Sequence, residues 1–322
     1  MRTSKNIHFI LIAFMAIGIF SGCRKENSNT GATATTPASS SSDQGMVLTP
    51  VGYMEKSKVH FIAEGYQLSV VKGRLLKTEA KSGKMVEDFG EVQPLDEKYN
   101  IRNASHFGNN IDPAASGWIA YSYWSNTGTA VTNFTTNWVV PSVPSRQGSQ
   151  TIFLFNGMQD GLTSTSYIIQ PVLQWGPSAA GGGKYWAITN WYVSGSAAYY
   201  GSLVSVSAGT SLTGVMKETA VSGSNYSYNS SFTGYSSASA LQVNNVPQAY
   251  WCAETLESYG VTTPSTMYPP NTDIAMTSIQ ILKGTTNASI SWSTAQAVSG
   301  SAQKAVVVSN ASPGGEVDIY FR

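Results

Sequence analysis

The chain has 322 residues, with 19 Lys+Arg against 18 Asp+Glu, a net charge of +1 and only 11% charged residues. That balance offers nothing to a nucleic acid or any other polyanion, so no nucleic-acid partner is expected. Three histidines are present, His8, His60 and His106, and none follows residue 116. A Ser-His-Asp triad, a Cys-His pair or a His-ligated zinc site built within residues 117–322 is therefore excluded.

Charge is placed unevenly. Residues 1–116 hold 13 Lys+Arg and 11 Asp+Glu, whereas residues 117–322 hold 6 and 7 together with all eight tryptophans. A charged front third thus precedes a neutral, aromatic remainder, long enough to bury a sizeable core and too rich in Trp, Tyr and Val to be disordered.

The chain opens as an address. Arg2 and Lys5 precede an apolar run from Ile7 to Phe20, then Ser21-Gly22-Cys23. A charged start, a short apolar stretch and small residues before a cleavage point read as a signal peptide over 1–22. The run is too short for a spanning helix. Phe20-Ser21-Gly22-Cys23 resembles a bacterial lipobox, which makes Cys23 the lipidated first residue of the mature chain. Arg24-Lys25-Glu26-Asn27 resembles the short signal that sends such lipoproteins to the cell surface. The expected location is the outer membrane by lipid anchor. Residues 23–45 are a Ser/Thr/Ala/Gly/Pro-rich tether. With Cys23 lipidated, Cys252 stands alone and reads as a small buried hydrophobe.

Residues 46–116 form the next expected unit, an accessory β segment and linker. Val59–Ile62 and Tyr66–Val71 read as strands, with turns at Gly65, Gly73 and Gly83. Two readings stay open: a solvated accessory subdomain, or a pro-segment whose lysines, at 56, 58, 72, 77, 81, 84 and 98, cover an acidic cleft until cleavage.

From Gly117 onward, short apolar or alternating runs sit between Gly, Ser, Asn and Pro turns. They are Trp118–Tyr123, Asn137–Val140, Thr151–Phe155, Ile168–Trp175, Tyr185–Val193, Leu203–Val206, Thr277–Leu282, Ala288–Trp292, Ala305–Val308 and Val317–Phe321. Many short strands with frequent turns predict an all-β domain over 117–322, an antiparallel sandwich of jelly-roll type. Gly181-Gly182-Gly183 reads as a hairpin loop, since a phosphate loop would need a following helix and Lys-Ser/Thr.

Seven carboxylates follow residue 116. Glu218, Glu316 and Asp318 read as solvated surface and Asp273 as a turn residue. Asp160, Glu254 and Glu257 remain, in aromatic or glycine-rich surroundings. Glu254, beside Trp251, is expected to be desolvated and raised toward the general acid/base range. Gln174 places an amide in an apolar strand, where its donors and acceptor need partners.

Six segments in order over about 145 residues, from Asn137 to Ile281, carry a resemblance. They are Trp138-Val139-Val140-Pro141, Phe155-Asn156-Gly157-Met158-Gln159-Asp160-Gly161, Val172-Leu173-Gln174-Trp175-Gly176, Tyr185 through Val193 with Asn190-Trp191-Tyr192, Val206-Ser207-Ala208-Gly209-Thr210, and Ala249-Tyr250-Trp251-Cys252-Ala253-Glu254. This order resembles the glutamic peptidases (eqolisins, peptidase family A4/G1). The resemblance implies a lectin-like β-sandwich and an endopeptidase with a Gln174–Glu254 dyad, acting as a monomer on polypeptide and needing no cofactor or metal. It implies a cleft shaped by Asp160, Trp175, Asn190, Trp191 and Trp251. Gln170, four positions before Gln174, is a rival for the glutamine. Asn190 and Thr210 stand where the family pattern has acids.

In the implied chemistry Glu254 takes a proton from water, Gln174 donates to the developing oxyanion, and Glu254 then protonates the leaving amine, with a neutral-to-acid optimum. Three other readings stay open: a surface carbohydrate-binding sandwich, a glycosidase pairing Glu254 with Asp160 or Glu257, and a relative that binds peptides without cleaving them.

Overall fold

A computed structural model describes residues 45–96, 116–161 and 165–322. The expected signal peptide, Cys23 and most of the tether lie outside the described residues, as does Lys98.

The described part begins with a hairpin of β1 (Met46–Thr49) and β2 (Gly52–Glu55), in which Thr49 pairs with Gly52. Next come β3 (Val59–Phe61), β4 (Tyr66–Val71), β5 (Arg74–Glu79) and β6 (Met85–Glu91). After the linker come β7 (Gly117–Ser125), β8 (Val131–Val139), β9 (Thr151–Gln159), β10 (Tyr167–Ser178), β11 (Gly181–Ser194), β12 (Ala197–Tyr200) and β13 (Val204–Val206). The chain continues through β14 (Ser211–Ser222), β15 (Asn225–Phe232), β16 (Leu241–Val246), β17 (Trp251–Tyr259) and β18 (Asp273–Lys283). It closes with β19 (Thr286–Asn287), β20 (Ser293–Gln296), β21 (Ala305–Ser309) and β22 (Gly315–Tyr320).

Among the described residues, two large sheets face each other. The first runs β20-β7-β17-β9-β10-β11-β12-β3, with β13 beside β11; the second runs β21-β22-β18-β8-β14-β15-β16-β4-β5-β6, with β19 on β18. Most neighbours are antiparallel, and the chain is an all-β sandwich, as the strand pattern predicts. β22 shows the expected alternation, with Val317 and Ile319 fully buried.

Two expectations differ from the structure. Ala288–Trp292 is not a strand: Ala288, Ile290 and Trp292 are buried, yet the segment's backbone is irregular, and Trp292 N–H donates to Asn310 Oδ1 at 2.8 Å rather than to a ladder. Residues 46–91 are also not a separate subdomain. β3 pairs in parallel with β12 at the edge of the first sheet, and β4 pairs in parallel with β16 in the second. The described residues all fall in one compact unit. Among the described lysines none covers a cleft either: Lys56, Lys58, Lys72, Lys81 and Lys84 are exposed, and Lys77 lies over the Tyr66 ring.

The central strands of the first sheet are buried on both faces, so they read as continuous apolar runs. One face packs on the second sheet through Ile152, Leu154, Ile169, Leu173, Cys252 and Leu256. The outer face carries Phe153, Phe155, Ile168, Val172, Trp191 and Trp251. It is covered by Leu48, Val51 and Met54 of the β1–β2 hairpin.

Candidate functional site

Register decides which side chains meet. Directly paired residues on neighbouring strands share a face, and successive residues alternate. Gln174 pairs with Phe153, and Phe153 pairs with Glu257. These three form one row across β10, β9 and β17, with Gln174 and Glu257 two strands apart, or roughly 10 Å between Cα atoms. All three lie on the outer face.

Glu254 lies on the other face. It pairs with Asn156 on β9 and Ser122 on β7, and it points toward the second sheet. Thr136 of β8, in that second sheet, donates its hydroxyl to Glu254 Oε1 at 2.6 Å. The structure therefore does not bring Gln174 and Glu254 together; the sheet itself separates them. Glu254, completely buried, serves the sandwich interior, where burial holds its carboxyl well above the usual range.

The other predicted site residues divide the same way. Trp191 and Trp251 are on the outer face: Trp251 stacks on Tyr123 with centroids 5.8 Å apart, and Trp191 packs on Tyr200 at 5.0 Å. Trp175 is on the inner face, edge-on to Trp186 at 5.5 Å, and is core rather than cleft. Asn190 is also inside, donating to the Ser239 carbonyl at 2.8 Å and accepting from the Ser230 hydroxyl at 2.6 Å. Asp160 follows β9, accepting from Thr165 Oγ1 at 2.6 Å and Ser166 N–H at 2.8 Å. Thus Gln174, Trp191 and Trp251 share a face, and Trp175, Asn190, Asp160 and Glu254 are elsewhere.

Glu257 joins that face instead. It is completely buried; burial pushes its carboxyl up to about 8, and the Tyr259 hydroxyl, which donates to Oε1, offsets part of that. Oε2 has no hydrogen-bond partner. A buried carboxyl with one unengaged oxygen is a candidate for proton transfer.

Two glutamines accompany it. Gln174 Nε2 donates to the carbonyls of Gly176 (2.7 Å) and Gly181 (2.9 Å), and its Oε1 accepts from Ser178 Oγ at 2.8 Å. Its amide is fully spent on the turn joining β10 to β11. The glycine run is required there. At Gly182, with φ +102°, a Cβ would fall 2.4 Å from both Gln174 Nε2 and the Gly176 carbonyl oxygen. Gln170 is the freer amide. It pairs with Trp191 on β11 and is completely buried, with Oε1 unpartnered and Nε2 in a long 3.5 Å contact with the Pro50 carbonyl. Neither Glu257 nor Gln170 is the residue the family pattern selects. What could have found Glu257 is arithmetic: three positions from Glu254, it must point the opposite way along a regular strand.

No protein-family model and no curated protein matches the sequence. Solved structures do. Scytalido-glutamic peptidase with a peptide-based transition-state analog matches at 12% identity and a TM-score of 0.41, covering 63% of this chain and 98% of that one. The same peptidase with a transition-state analog inhibitor matches at 15% and 0.39, covering 64% and 98%. SCP-B, a member of the eqolisin family of peptidases in complex with the tripeptide Ala-Ile-His, matches at 13% and 0.38, covering 63% and 98%. These are loose correspondences, so residue roles rest on the geometry of this chain.

Proposed function

We propose that this chain is a peptide hydrolase that works on the outer face of its first sheet, with Glu257 handling the proton and Gln174 stabilising the oxyanion. The observation that carries the reading is the shared row. A buried carboxyl raised to about 8, with one oxygen unengaged, lies on the same face and level as a buried glutamine, with Phe153 between them.

The chemistry balances without another participant. Ionised Glu257 takes a proton from water, and the water oxygen bonds to the scissile carbonyl carbon. A Gln174 N–H meets the oxygen as it becomes negative, a contribution of about 3 kcal/mol for comparable donors. Protonated Glu257 then gives its proton to the leaving nitrogen as the C–N bond breaks. Gln174 must first release the Gly176 and Gly181 carbonyls, and Glu257 must lose some of its burial to ionise at neutral pH. The proposed setting is extracytoplasmic, with the chain held to the outer membrane through lipidated Cys23.

A second reading has its own support. The spent amide of Gln174 and the contact of Gln170 with a backbone carbonyl favour a face that binds peptide without cleaving it.

Digestion of an unfolded protein from pH 2 to 9, by the chain before and after a cut following Glu55, tests the pair. Glu257→Gln and Gln174→Ala are expected to lose about 100-fold or more. Glu254→Gln, inside the sandwich, keeps activity in whatever fraction folds. Full activity in Glu257→Gln overturns the assignment.

A further inference from the structure

The face that carries Gln174 and Glu257 is closed. The tip of the β1–β2 hairpin lies on it, with Leu48, Val51 and Met54 buried among Trp118, Phe153, Trp191 and Trp251. The hairpin also engages the polar groups. The Pro50 carbonyl faces Gln170 Nε2 at 3.5 Å. The Leu48 carbonyl accepts from Ala179 N–H at 2.8 Å, in the very turn that ties down the Gln174 amide. Tyr53 packs edge-on against Tyr259 at 6.0 Å, and Tyr259 donates to Glu257. No charged side chain of the hairpin is buried there; Glu55 is exposed.

We infer that the 46–55 hairpin is a resident peptide: it occupies the groove that takes substrate, braces the turn that ties Gln174, keeps Glu257 dry, and shows by its own chemistry what the groove accepts. This rests on the peptide-groove reading above. The ligand class is an uncharged polypeptide segment that inserts aliphatic side chains between the rings and offers a backbone carbonyl to Gln170. A carboxyl that is neutral at pH 7 and a glutamine with no free N–H make a closed face inert as well as blocked. A ligand that must wait for the hairpin to leave binds with an affinity reduced by the fraction of molecules that are open.

The test uses the full chain with a specific-protease site between Glu55 and Lys56, cut after folding, and a fluorescent synthetic peptide of residues 46–55. The cut protein is expected to exchange its hairpin for the labelled peptide, which the intact chain does not bind. The same peptide carrying Leu48→Asp and Met54→Asp competes at least about tenfold less well. Hydrolysis of an unfolded protein is expected to rise at least about tenfold once the hairpin is displaced. Exchange without hydrolysis keeps the resident peptide and overturns the peptidase assignment. Equal hydrolysis before and after cutting, with no exchange, keeps the peptidase and overturns the resident peptide. Neither exchange nor hydrolysis overturns both. If cutting unfolds the protein, the uncut L48D/M54D chain replaces it: failure of the folded variant to bind the 46–55 peptide overturns the inference.

Discussion

Glu254 and Glu257 show how much one odd spacing decides. Both are completely buried carboxyls on one strand, yet one faces the second sheet and the other faces the hairpin. Their stability effects share a sign. Glu257 has an ordinary value of 4.5 and about 8 in the folded chain, so folding favours its neutral form. Its contribution is fully present below the unfolded value and is lost as pH rises through the folded one. Stability is therefore expected to fall between roughly pH 5 and 8, by up to about 1.4 kcal/mol per pH unit for this one group. Glu257→Gln should flatten that slope by one proton, as read from urea midpoints at successive pH values. An unchanged slope would mean the carboxyl is wetter than its burial indicates. Glu254 holds its single bond from Thr136 with Oε2 unpartnered, and the nearby Asn156 Oδ1 and Ser122 Oγ are also unpartnered. Thr136→Val removes the one donor and is expected to cost about 1–3 kcal/mol in chemical denaturation, with peptide binding by the opposite face unaffected.

At the scale of the element, the β10–β11 turn ties the amide of Gln174 to backbone and so couples fold to site. Gly182→Ala drives a methyl into that amide and into the Gly176 carbonyl. The expected result is a loss of at least about 1 kcal/mol and a freed, mispositioned glutamine, visible as a shifted Gln174 side-chain amide resonance. Strands of this kind were largely legible in the sequence, because Ile168–Trp175 and Val317–Phe321 carry the right residues between clear turns. Ala288–Trp292 has the same composition and is no strand: Ala288 N–H donates to the Ile281 carbonyl, whereas Trp292 N–H donates to the Asn310 side chain, so no continuous ladder forms. The pair proposed here was only half legible. Family order picked Gln174, which lies on the outer face, and Glu254, which does not. The reason is physical: a motif fixes position along a strand, whereas the shared face depends on the register of a third strand, β9, lying between the two. The hairpin's proposed role was legible only in outline, as a pro-segment over 46–116, and that reading placed the cover in the lysines rather than in the apolar residues of 46–55.

At the scale of the molecule, residues 59–91 belong to the sandwich they precede. A cut after Glu55 frees the hairpin and the residues before it and leaves β3 and β4 in place. Removing residues 45–116 would also strip β3 and β4 from their partners, leaving the edges of β12 and β16 bare. Unpaired edges invite pairing with other chains. The longer deletion is expected to self-associate on size-exclusion chromatography, whereas the protein cut after Glu55 stays dispersed. Lipid attachment has its own check: fatty-acid label incorporated into the full chain in bacteria should vanish in Cys23→Ser, and persistence would refute the anchor.

The two parallel pairings have a kinetic consequence. Asn244 Nδ2 donates to the Leu68 carbonyl across 176 positions of chain, and contacts so distant in sequence close slowly, after local strands have formed. The front segment is made first and is expected to dock late. For a time during folding the aromatic face stands assembled and uncovered, and the molecule meets its surroundings before it meets its own N-terminal strands.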